Sequence, residues 1–195
     1  MYIIKKRNVD KCEKIYIDKS LWGTDTYKPE VYAQIAHDSE GFVIKFTVHE
    51  KNPKCIHKNH LEYVHLDSCI EWFVNFAPEK TDKYFNFEIN AAGAMNVGFR
   101  KNRDEYKLLI PEEINSFNIK TEIFDDYWTG EYKIPFAFIA TKIDGYKFEE
   151  NPKIKTNLYK CGDETEFEHY MSCFDIPLEK PDFHCPQYFG EMCIE

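Results

Sequence analysis

The 195 residues carry 34 acidic and 25 basic side chains, and the resulting net charge of −9 disfavours polyanionic partners, nucleic acid and anionic membrane surfaces alike. Hydrophobic residues make up 43% of the chain and aromatic ones 16%, which excludes a disordered polymer and favours pleated sheet over helix. One domain spanning residues 1–195 is expected, because nothing in the chain reads as a linker or an internal repeat.

No apolar run reaches the roughly twenty residues that span a bilayer, and the first ten residues lack the apolar stretch of a secretory signal. A cytoplasmic location is therefore expected. The seven cysteines form an odd set without a Cys-x-x-Cys pair, so they read as reduced thiols, with Cys69 packed as a small hydrophobe.

In chain order, the first clear strand covers 42–49, where Phe42, Ile44, Phe46 and Val48 share one face. Residues 69–76 send Ile70, Trp72, Val74 and Phe76 to one side, and Cys69, Glu71, Phe73 and Asn75 to the other. Residues 84–90 divide into Phe85, Phe87 and Ile89 against the polar ladder Tyr84, Asn86, Glu88 and Asn90. Further short strands are predicted over 118–124, 130–134, 154–161 and 169–174, and the best helical patch is 136–140, just after Pro135. This rhythm predicts an all-β, antiparallel sandwich of the immunoglobulin-like or jelly-roll-like kind, with little helix.

If the second and third of these strands are neighbours, their outer sides gather Glu71, Asn75, Asn86, Glu88 and Asn90 into one patch. Carboxylates and amides are suited to grip sugar hydroxyls, while aromatic rings cover sugar C–H faces. An ordinary solvated sheet face has the same pattern. What separates the two is a series of local motifs: Asp67-Ser68-Cys69-Ile70-Glu71-Trp72-Phe73, Tyr84 to Gly93, Trp128 with Tyr132-Lys133-Ile134-Pro135, Thr156 to Lys160, and Phe183 to Gly190. In this order the chain resembles the family 9 carbohydrate-binding modules, specifically their stand-alone, family 9-like branch.

The resemblance implies a DOMON-like β-sandwich that holds a mono- or oligosaccharide on a concave sheet face, between two aromatic side chains, without catalysis. The implied contacts are Tyr63, Glu71, Glu88, Asn90, Asn157, Tyr159, Phe183 and His184. Tyr63 takes the place of one stacking tryptophan of the modules, and Phe183 or His184 that of the other. Glu88 stands where xylanase-linked modules carry a basic residue, and one extra residue separates Ser68 from Glu71. Trp22, Trp72 and Trp128 are assigned to packing. No cofactor is expected, although the modules carry structural calcium, for which no ligands are assigned here.

The residues also offer three other chemistries. Glu71 and Glu88 would be the carboxylate pair of a glycoside hydrolase. Cys55, His57, His60 and His65 crowd one segment but match no standard metal spacing, so a polar loop is preferred. Met95 and His184 would be the axial ligands of a haem-binding relative, ranked below sugar binding.

Overall fold

The computed structural model describes residues 2–23 and 26–195. In chain order the elements are β1 (Tyr2–Lys6), β2 (Ile15–Tyr16), β3 (Lys19–Gly23), β4 (Glu30–His37), β5 (Gly41–His49), β6 (Cys69–Asn75), β7 (Tyr84–Asn90), β8 (Met95–Arg100) and β9 (Tyr106–Leu108). They continue as α1 (Pro111–Asn115), β10 (Lys120–Ile123), β11 (Trp128–Pro135), α2 (Phe136–Lys142), β12 (Lys153–Gly162), β13 (His169–Ser172) and β14 (Gly190–Ile194).

The strands form a curled mixed sheet folded into two facing layers. One layer runs β9-β8-β7-β6-β12, with β13 and then β3 beside one end of β12 and β14 beside the other. The second runs β10-β11-β5-β4, with β2 on the margin of β4. β1 joins them: Tyr2 to Ile4 pair with β14 and Lys5 to Lys6 with β4, both in parallel, whereas every other pairing is antiparallel. A strand that passes from one sheet to the other is how a sandwich makes a corner.

Two-residue alternation produces the core. Phe42, Ile44 and Phe46 of β5 face Ile70, Trp72 and Val74 of β6 and Phe85, Phe87 and Ile89 of β7, all of them buried. Phe42 stacks on Phe76 at 5.1 Å and meets the edge of Trp72 at 6.3 Å. Each such buried side chain contributes about 1.5–3 kcal/mol. The Trp72 indole N–H donates to Thr156 Oγ1 at 2.8 Å, so its one polar atom is satisfied inside the core. The turn after Pro135 becomes α2, because Pro135 ends β11 with extended backbone and the apolar residues after it can pack back onto the sandwich.

Where β5 ends, the core accepts charge. Lys160, fully buried on β12, donates to the Cys161 carbonyl at 2.8 Å and to His169 Nε2 at 2.7 Å, with Glu50 at 3.6 Å. His169 Nδ1 bonds the Phe167 carbonyl, so that nitrogen carries the proton and Nε2 is free to accept. Glu50 also accepts from Ser68 and from the Trp128 indole. Burial opposes ionisation of Glu50, but Lys160 and these donors outweigh it and hold the carboxyl below its usual range.

Candidate functional site

The outer face of the β6–β7–β8–β12 layer is a polar lattice set by register. Glu71 lies opposite Glu88, Glu88 opposite Asn96, and Phe73 opposite Asn86, whose other neighbour is Gly98. Two segments, each with a single 3-10 turn, rise over this face, 54–68 before β6 and 174–189 before β14. Between them, and bounded by the β8–β9 hairpin, lies a hollow of about 730 Å³.

Glu71 and Glu88 form its floor, 3% and 6% exposed. Glu88 accepts from Asn86 Nδ2 at 2.6 Å and from Asn96 Nδ2 at 3.4 Å, and Glu71 from the Cys161 thiol at 3.1 Å. Burial, with Glu88 adding repulsion, pushes the Glu71 carboxyl well above the usual carboxylate range. Burial also raises Glu88, against the pull of His65, Asn86 and Arg100. Two adjacent carboxyls in a dry floor resist carrying two charges, so the pair can both donate and accept hydrogen bonds.

Arg100 comes from β8 and lies along the floor. Its Nε donates to Asn86 Oδ1 at 2.6 Å, and its guanidinium rests 4.0 Å from the Tyr106 ring centroid. Gly98 makes that path possible: a Cβ there would stand 2.7 Å from Asn86 Oδ1 and 3.0 Å from Arg100 Nε. Arg103, at the hairpin tip, places Nε and Nη2 on Asp182 Oδ1 at 3.2 and 2.7 Å and so ties the hairpin to the 174–189 segment.

That segment is anchored by rings. Phe183 lies flat on Tyr159, centroids 4.1 Å apart and planes 7° off parallel. His184 covers Phe73 at 4.9 Å, and its Nδ1 meets the Tyr84 hydroxyl at 3.0 Å. Burial, with Arg100 and Arg103 nearby, depresses His184 to about 3, so the ring is neutral at physiological pH. Trp22 approaches Phe183 at 5.9 Å and Tyr170 at 6.1 Å and is fixed by its N–H to the Leu178 carbonyl. Across the hollow Tyr63 is 69% exposed, its ring 5.9 Å from His65.

Of the residues singled out in the sequence, the structure gathers Tyr63, Glu71, Glu88, Phe183 and His184 around this hollow. Asn90, Asn157 and Tyr159 are placed differently. Asn90 spends its amide on the His57 carbonyl, Asp67, and the N–H groups of Ala92 and Ala94, shaping the turn after β7. Asn157 pins Phe174 and its own strand. Tyr159 is sealed beneath Phe183 and donates to the Phe183 carbonyl. All three point to the outer face, but the covering segments hide them. Trp22, assigned to packing, packs on Phe183 and Tyr170 and also lines the hollow, while Trp72 and Trp128 are fully buried. Arg100, Arg103 and Asn96 are not among the residues singled out in the sequence; for Asn96 and Arg100 the signal is the alternation of Met95, Val97 and Phe99 against Asn96, Gly98 and Arg100, whereas Arg103 lies beyond it in the hairpin.

The model of carbohydrate-binding family 9 matches residues 3–194. The chain belongs to this family. Its members are non-catalytic carbohydrate-binding modules, in line with the expectation that the protein is not an enzyme. Among solved structures, the family 9 fold recurs in a candidate carbohydrate-binding protein from Bacteroides uniformis, with a TM-score of 0.83 and 24% identity, over 100% of this chain and 98% of that one. A family 9 module from Caldicellulosiruptor kristjanssonii in complex with glucose matches at 0.64 and 10% identity, over 99% and 94% of the two chains. The same organism's module in complex with cellotriose matches at 0.65 and 10%, over 100% and 93%. No curated protein matches the chain.

The competing chemistries fare less well as geometry. Glu71 and Glu88 are cross-strand partners on one floor, and the family to which the chain belongs is one of non-catalytic modules. Met95 packs in the core between the layers and His184 lies on the outer face, so the two cannot hold a haem iron from opposite sides. His57 pairs with Asp67, His60 with Met95 N–H and Asn115, and His65 with the hollow, so that cluster is dispersed. Among the described residues the one grouping of three potential metal-ligating side chains is Cys69, Glu71 and Cys161, and its thiols do not fit the all-oxygen shell that calcium requires.

Proposed function

We propose that the hollow on the outer face of β6–β8 binds a mono- or short oligosaccharide and releases it unchanged. The supporting observation is the floor itself: Glu71, Glu88, Asn96 and Arg100 converge in one concavity of about 730 Å³, within the size range of small-ligand sites. Asn96 lines the hollow, and its Oδ1 has no hydrogen-bond partner among the described residues.

In this reading Glu88 and Glu71 accept from, or when protonated donate to, adjacent hydroxyls, and Arg100 and Asn96 supply charged and neutral polar contacts. Tyr63 covers one C–H face of a pyranose. Trp22 and His184 form the opposite wall, because the Phe183 ring already has Tyr159 against one face. Glucose and cellotriose, the ligands in the Caldicellulosiruptor complexes, are the first to test.

The test is calorimetric titration with a panel of mono- and oligosaccharides that includes these two, with chromatography of the incubated sugars. Saturable binding and unchanged sugars are expected, with at least tenfold weaker binding in Glu88→Gln. Silence across the panel, or product formation, would overturn the proposal.

A further inference from the structure

We propose that Cys69, Cys161 and Glu71 form a site for a thiophilic divalent cation of the zinc class, set into the floor of the hollow. Cys69 on β6 and Cys161 on β12 are direct cross-strand partners, and Glu71 is two residues along β6, so all three side chains leave the same face. Their donor atoms lie within 4.8 Å of one another, the Cys161 sulfur only 3.1 Å from Glu71 Oε1, and all three residues are buried. Tetrahedral zinc, with sulfur at about 2.3 Å and oxygen at about 2.0 Å, separates its donors by roughly 3.5–3.8 Å. Small side-chain rotations close the remaining difference.

Charge favours the same conclusion. Glu71 has no ion pair among the described residues, and its side-chain partner is a thiol. Arg100 attracts Glu71 without contact, and a buried carboxyl with no cation in contact either keeps its proton or acquires such a cation. Sulfur donors select zinc over magnesium or calcium, and no other three side chains among the described residues are so grouped. Binding releases the two thiol protons, and the Glu71 proton where it is held, to solvent, leaving two thiolates and a carboxylate on the metal. Cys161, Glu71 and Asp163 line the hollow, which gives the ion its route in and leaves its fourth position facing the cavity.

The inference does not depend on sugar binding and is tested without sugar. Reduced full-length protein is loaded with Zn²⁺, dialysed, and its zinc measured; in parallel, Co²⁺ is added and the thiolate-to-cobalt charge-transfer band recorded. One zinc per chain and a clear band are expected, both unchanged in Cys55→Ala. Cys69→Ala and Cys161→Ala are expected to lose the band, and near-isosteric Glu71→Gln, which preserves the buried volume if a cysteine variant fails to fold, to bind zinc at least tenfold more weakly. Absence of the band in the wild-type protein, or its survival in the Cys69→Ala/Cys161→Ala double variant, would overturn the proposal.

Discussion

Glu71, proposed as a sugar contact, works against the fold that holds it. Its folded-state pKa is raised, so its contribution to stability is complete below the ordinary glutamate value of 4.5 and is lost as pH rises through the folded value. In metal-free protein Glu71→Gln is therefore expected to be stabilising at pH 7 by about 1 kcal/mol, raising Tm by roughly 2–4 °C, while weakening sugar binding. Melting curves of both proteins should converge as pH falls towards 4; a lower Tm for the variant at pH 7 would contradict this. Tyr63 offers the converse case. It is 69% exposed, so Tyr63→Ala should change stability by less than about 0.5 kcal/mol yet reduce sugar affinity about tenfold in calorimetry. Glu71 and Glu88 were legible in the sequence because period-two alternation assigns a face. Asn90 shares that face by the same alternation, and Asn157 and Tyr159, expected as contacts from the family resemblance, share it too. Alternation cannot show which part of a face a distant segment will cover.

The 174–189 segment is the element on which the hollow depends. It has no strand or helix longer than a single 3-10 turn, and it is held by the Phe183–Tyr159 stack, the Trp22 N–H and the Arg103–Asp182 fork. Phe183→Ala should remove about 3 kcal/mol of local packing and expose this segment to limited proteolysis before the sandwich itself unfolds. Cleavage elsewhere first would argue that the segment is held by other contacts. β5, β6 and β7 were legible as strands because their apolar faces are continuous. β8 was not, since Gly98 and the short run from Met95 to Arg100 weaken the strand signal, and Arg100 was missed with it. β1 and β14 are short strands whose pairing partners are distant in sequence, a relation no local pattern encodes.

Across the whole molecule, stability rests on a two-layer aromatic core that encloses the Glu50–Lys160–His169 cluster. His169 and His184 are depressed to about 4 and about 3, chiefly by burial, so each stabilises the fold above the ordinary histidine value of 6.5 and loses that contribution as pH falls towards those values. Tm should accordingly drop between pH 6.5 and 4, and a His169→Gln/His184→Gln variant should flatten that slope; an unchanged slope would remove the histidines as its cause. The sandwich and its layer order carry the polar face of β6–β8 outward, and a single titration tests whether that face binds sugar. Amide resonances are followed by NMR while the tightest sugar of the panel is added. Saturable shifts are expected within 61–65, 71–73, 86–88, 96–103 and 181–184. Shifts concentrated instead on the outer side of β4, β5 and β11 would show that the sugar binds the other layer and that the hollow is not its site.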